Sequence, residues 1–149
     1  MALSEFEFGL IIASNAFSRW VVRCLAAAGL PDLTYTDALV LHHINHRARG
    51  KKLADICFTL NYEDTHVVTY SLKKLLSLKL VSTEKQGKEV FYSANDVGQA
   101  VIARYRAVRE QCLVQSIGTD HNQDISQLAS LLRNLSGQYD QAARAATSL

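Results

Sequence analysis

Glu63–Leu75 reads EDTHVVTYSLKKL, and the way this run is sorted into faces decides the fold. An advance of about 100° per residue divides it into two arcs. With Thr65 set at zero, Thr69, Lys73, His66, Ser77 and Tyr70 fall between about 40° and 140°. Val67, Val68, Ser71, Leu72 and Leu75 fall between about 200° and 340°, which makes that arc a core face. Leu76, near about 20°, is expected to pack under the segment that follows. The polar arc carries hydroxyls, an imidazole, a phenol and an ammonium, and no carboxylate. An ordinary solvated helix face mixes acids with bases.

Downstream the period changes. VSTEK (81–85) and EVFYSA (89–94) flank Gln86-Gly87-Lys88, and two β-prone runs around a Gly-containing turn predict a hairpin. Upstream, a short helix from about Lys52 to Leu60 is closed by Asn61, a residue that tolerates a left-handed turn. Before it, Thr34 with Asp37 forms a capping-box pattern. That pattern opens a helix through Ala38, Leu41 and Ile44, ending near Arg47-Ala48-Arg49-Gly50. Three helices and a hairpin over roughly residues 34–95 have the order and size of a winged helix-turn-helix.

The flanks are helical too. Ser4 with Glu7 predicts a capped helix to Ala28, its apolar side made by Phe8, Ile11, Ile12, Phe17, Val21 and Leu25. Gly29-Leu30-Pro31 stops it. Asn95 caps a helix from about Asp96 to Ser116 that runs through Val97, Val101, Tyr105, Val108 and Leu113. GTDHNQD (118–124) interrupts, and a last helix from Ile125 to Ala146 carries Leu128, Leu131, Leu132, Leu135 and Tyr139 on one side. Such stripes on so small a core predict packing against the same helices of a second copy. The expected fold class is mainly α with a small β-hairpin wing. Its expected parts are an N-terminal dimerisation helix (1–30), a winged helix-turn-helix (31–95) and C-terminal dimerisation helices (96–149).

Composition narrows the class. The chain has 149 residues and is 48% hydrophobic, with one Pro and seven Gly, which suits a folded domain rather than a disordered one. No apolar run approaches the roughly 18 residues of a membrane span, and MALSEFEFGL lacks the basic start of a signal peptide. Cys24, Cys57 and Cys112 are odd in number and outside any CxxC pair. A reduced, cytoplasmic setting and no membrane partner are expected. Between Arg47 and Lys88 there are nine basic and four acidic residues, a net +5, leaving −3 on the rest of the chain. A basic middle between acidic arms predicts a polyanion partner.

That partner is expected to be double-stranded DNA. Thr65, His66, Thr69 and Tyr70 can give or take hydrogen bonds at base edges, and a Thr methyl can touch thymine. Lys73 and Lys74 can bind phosphate or guanine. Lys85 and Lys88 straddle the hairpin tip, where a lysine contributes phosphate attraction rather than sequence choice. Arg49, Lys51 and Lys52, with Arg47, are candidates for backbone contact at the junction before the third helix. Glu63 and Asp64 suit the positive end of the helix dipole.

Other residues weigh less. His42 and His46 lie four apart, as zinc ligands can, but His42, His43 and His46 lack acid or thiol companions and read as a polar helix side. The cysteines read as buried and inert. Phe17, Trp20 and Tyr105 read as core aromatics. GxSxG, HExxH and a phosphate-cradling Gly loop are absent from the sequence, so neither enzyme chemistry nor a cofactor is expected.

The whole chain resembles the MarR family of bacterial winged-helix transcription regulators. Leu33-Thr34 with Leu41 and Ile44 looks like that family's LT-x-x-Q…vL-x-x-L opening. Leu53-Ala54 stands at its L-A pair. Val68-Thr69, Leu75 and Leu80-Val81 match the recognition helix and the entry to the wing. Asn95-Asp96-Val97-Gly98 stands at its T-e-x-G. The wing EKQGKEVF departs from the family by lacking D-x-R, and Lys79 replaces the Gly common before the wing. The resemblance implies a homodimer on a pseudo-palindromic operator, often regulated by a small-molecule effector, a metal or an oxidant at the seam between the DNA-binding and dimer regions. The competing expectation is a winged-helix protein-interaction module that does not bind DNA.

Overall fold

A computed structural model describes residues 1–149, with the side chain of Ala48 outside the described set. The order is α1 (Ala2–Ala27), α2 (Tyr35–Asn45), α3 (Leu53–Leu60), α4 (Thr65–Ser77), β1 (Val81–Gln86), β2 (Glu89–Ala94) and α5 (Asp96–Arg109). After α5 come a π-helical stretch (Glu110–Val114), the single turn α6 (Gln115–Ile117) and the long α7 (Asn122–Thr147). The expected elements are all present, with ends moved by a few residues.

Local chemistry explains most boundaries. The Thr34 hydroxyl accepts from Asp37 N at 3.2 Å while Asp37 Oδ2 accepts from Thr34 N at 2.9 Å, completing the capping box of α2. Asn61 closes α3 in the left-handed conformation at φ 61°, as expected of Asn at a helix end. Asp64 caps α4 by accepting from His66 N at 2.9 Å. Asn95 caps α5 through Gly98 N at 3.0 Å. The capping box expected at Ser4 does not form: α1 begins at Ala2, capped by Met1 without a side-chain bond.

Lys79 stands at a position whose backbone favours glycine. It adopts φ 59° without being glycine, a conformation that costs an ordinary residue roughly 1–2 kcal/mol. Its carbonyl accepts from Asn95 Nδ2 at 2.7 Å, a bond that helps hold the turn between α4 and the wing.

The chain divides into two compact units, Met1–Glu110 and Gln111–Leu149. In the first, Val21, Cys24, Leu25 and Ala28 from the end of α1 join Ala38, Val40, Leu41 and Ile44 of α2. Ile56 of α3, Val68, Leu72 and Leu75 of α4, and Val101, Ile102 and Tyr105 of α5 complete that core. The core therefore runs across residues 30 and 95, where domain boundaries were expected. Val97 of α5 is exposed. Phe8, Ile11, Ile12 and Phe17 of α1 are exposed as well. Contrary to the reading of apolar runs, α1 is long and apolar enough to cross a membrane by length and composition, while its C-terminal turns are buried in the core. In the second unit α7 buries none of its described residues, and Leu128, Leu131, Leu132 and Tyr139 are exposed.

β1 and β2 pair antiparallel from Val81↔Ala94 to Gln86↔Glu89. The two-residue connection places Gly87 first, at φ 66°, where tight hairpins need a positive φ. A third backbone segment joins this sheet. Lys51 and Tyr92 exchange N–H···O bonds at 2.8 Å in both directions, so the loop before α3 is tied to the wing.

Candidate nucleic-acid interface

The two arcs of α4 separate in the structure as the sequence requires. Val68, Ser71, Leu72 and Leu75 are buried. Each buried Leu or Val contributes about 1.5–3 kcal/mol, enough to hold the helix by its back. Thr65, His66, Tyr70, Lys73 and Ser77 are exposed, with Tyr70 at 73%, and Thr69 is half-buried. Val67, expected on the core arc, is exposed at 38%. Leu76 is half-buried against the core. The surface strip thus carries hydroxyl, imidazole, phenol and ammonium groups, with Glu63 and Asp64 confined to the helix start.

At the wing, Lys85 and Lys88 are exposed near the tip. Arg47 and Arg49 are exposed in the loop after α2, where Arg47 adopts φ 60°. Lys52 keeps 38% side-chain exposure and pairs with Glu89 at 3.2 Å; an exposed pair of this kind holds its partners by at most about 1 kcal/mol, so Lys52 can turn to a phosphate. A cleft of about 440 Å³ opens beside the strip, lined by Thr34, Thr36, Val67 and Tyr70 among others.

Two of the expected contact residues are committed elsewhere. Lys51 is 9% exposed, and its ammonium donates to the carbonyls of His46, at 2.6 Å, and Arg49. Burial, followed by the neighbouring Arg49 and Arg47, pushes its pKa down. It organises the basic loop from inside rather than facing a phosphate. Lys74 donates to Asp37 Oδ2 and to the Asp32 carbonyl, both at 2.8 Å. Both lysines leave the set of free surface cations. The sequence held no sign of this, because Asp37 and Lys74 lie 37 positions apart and the capping box already accounted for the carboxylate.

Asp37 is 2% exposed. Burial by itself would raise its pKa, but the bonds from Lys74, Ser71 and Thr34 together outweigh it and hold the carboxyl below the ordinary value.

His42 and His43 are not simply a polar helix side. His42 Nδ1 bonds the Ala38 carbonyl at 2.8 Å, and its ring meets Tyr105 edge-on at 4.5 Å. The Nε2 atoms of His42 and His43 are buried without hydrogen-bond partners, and burial lowers both pKa values. His46 is exposed. Among the described residues no three His, Cys, Asp or Glu side chains gather as a metal would need. Cys24 and Cys57 are buried as expected, whereas Cys112 is exposed. Phe17 packs edge-on to Tyr35 at 5.9 Å but remains half open to solvent.

Comparison with known proteins agrees with this geometry. Residues 33–98 match the winged helix DNA-binding domain family. No curated protein matches the chain by sequence. Among solved structures, AbfR of Staphylococcus epidermidis, in its reduced form bound to DNA, is similar at a TM-score of 0.76 and 20% identity over 93% of this chain and 94% of that one. CouR from Rhodococcus jostii RHA1, bound to p-coumaroyl-CoA, gives 0.73 and 15% over 87% and 90%. A mutant MarR from E. coli complexed with operator DNA gives 0.72 and 17% over 90% and 95%. Residues 33–98 thus resemble a winged helix DNA-binding domain, and the chain shares its fold with AbfR, CouR and MarR.

Proposed function

We propose that the chain is a cytoplasmic transcription regulator that binds a pseudo-palindromic operator as a homodimer. One observation carries the reading: α4 presents a carboxylate-free strip to solvent while its reverse is buried. A helix so mounted can enter a major groove, with Thr65, His66, Thr69, Tyr70 and Lys73 toward base edges. Lys85 and Lys88 of the wing, with Arg47, Arg49 and Lys52, supply phosphate attraction.

The homodimer is supported by the apolar side chains that each unit leaves open. Phe8 is 66% exposed, and Ile11, Ile12 and Phe17 follow on the same helix; Leu128 and Leu131 do the same on α7. Apolar surface of this kind marks association sites, and a two-fold partner would bury the same patch on both copies. Two recognition helices would then read half-sites about 34–36 Å apart. A small-molecule effector is part of the proposal as a class of regulation. CouR, similar in fold, is seen with p-coumaroyl-CoA, which supports the class and not that ligand.

The test is selection of bound sequences from a random DNA pool with the full chain, followed by polarisation titrations across salt. A two-fold symmetric enriched site and a steep salt dependence are expected. Absence of any salt-dependent duplex binding would instead assign the winged helix to protein partners.

A further inference from the structure

Three polar side chains are buried among the described residues: Asp37, Lys51 and Ser71. Two of them meet. Ser71 Oγ donates to Asp37 Oδ1 at 2.7 Å, and Lys74 Nζ donates to Oδ2 at 2.8 Å. The same Oδ2 accepts from Thr34 N at 2.9 Å. The capping box of α2 requires only the exchange with Thr34. The other two bonds leave α2 and grip α4 at positions three residues apart. Their chain neighbours Tyr70 and Lys73 stand on the exposed strip.

Apolar packing sets the azimuth of α4 less sharply than directional hydrogen bonds do. Val68, Leu72 and Leu75 hold it by burial, which is non-directional. A rotation of about 20° moves side-chain tips, about 5–6 Å from the axis, by about 2 Å. Hydrogen bonds of 2.7–2.8 Å do not survive such a movement. Contacts to base edges would not survive it either. Two donors on one buried carboxylate resist both rotation and axial slip.

We infer that Asp37 is a positioning residue for base recognition: it fixes the rotation of α4 through Ser71 and Lys74 without touching the duplex. The inference rests on the DNA-binding reading above and deepens it. Charge and position predict different results on substitution. Asp37→Asn removes a negative charge and frees Lys74. Electrostatics alone then gives tighter binding to every duplex, with discrimination unchanged. Lys74→Met removes a positive charge, and electrostatics alone gives weaker binding everywhere, again with discrimination unchanged. A positioning role makes both variants lose discrimination. Partial unfolding lowers affinity for all duplexes in the same proportion and leaves their ratio alone.

The experiment uses the full chain and two duplexes: the sequence enriched from a random pool by the unsubstituted protein, and a scrambled duplex of equal length and composition. Polarisation titrations at several salt concentrations give the affinity ratio for unsubstituted protein, Asp37→Asn and Lys74→Met. Ser71→Ala, which removes one bond and no charge, serves if Asp37→Asn fails to fold. The ratio is expected to fall by about tenfold or more in each of the two charge variants, the scale of a lost base contact. Scrambled-duplex affinity should rise in Asp37→Asn and fall in Lys74→Met. A ratio unchanged in folded variants overturns the positioning role and leaves DNA binding intact. No salt-dependent binding by the unsubstituted protein overturns both.

Discussion

Gly98→Ala sets two effects of opposite sign against each other at the root of the wing. Gly98 is the third residue of α5, and its N–H bonds the capping Asn95 side chain at 3.0 Å. By helix propensity alone, alanine is favoured over glycine by about 1 kcal/mol. A Cβ at this position, however, would stand 2.2 Å from the Leu80 carbonyl oxygen and 3.2 Å from its carbon. A carbon and a carbonyl oxygen approach no closer than about 3.3 Å, so the deficit is about 1 Å. The obstacle is backbone, and that same oxygen accepts from Asn95 N at 3.1 Å, so neither side yields cheaply. Overpacking of this kind costs about 3 kcal/mol, the upper part of its usual range. The net expectation is destabilisation by about 2 kcal/mol, a fall in Tm of about 4–8 °C for a chain of this size. Urea and thermal unfolding of the two proteins measure it directly. A Gly98→Ala protein as stable as the parent, or more so, would show that α5 and the turn before β1 do not approach as described.

Lys73→Ala, on the exposed strip, should weaken the enriched duplex more than a scrambled one, seen as a smaller affinity ratio in polarisation titrations. Lys88→Ala, at the wing tip, should weaken all duplexes alike and reduce the salt slope by about one unit, which is roughly a three- to fourfold change between 50 and 200 mM salt. Burial, followed by the nearby Arg106, lowers the pKa of His42 against the opposing effect of its bond to Ala38. A depressed folded pKa means that the contribution of His42 is present above the unfolded value of about 6.5 and is lost as pH falls through the folded one. The chain should therefore be less resistant to urea at about pH 5.5 than at about pH 7.5, and His42→Gln should flatten that difference.

Sequence by itself determined the features that depend on near neighbours. The capping residues Thr34, Asp64 and Asn95 act on backbone two or three residues away. The left-handed Asn61 and the Gly87 turn satisfy local torsional needs. The division of α4 into faces follows from helical periodicity alone. These were enough to reach the winged helix and to mark one strip of α4 as having no part in the core. The tertiary structure decided what distant residues do to one another. Nothing near Lys74 in the chain marks it as the partner of Asp37, and nothing near Lys51 shows its ammonium turned onto the carbonyls of its own loop. The same holds for His42, whose neighbour Tyr105 belongs to another helix, and for Gly98, whose neighbour is the carbonyl of Leu80. A side chain's charge is written in the sequence; whether that charge meets solvent or a buried partner depends on packing between segments that only the folded chain brings together.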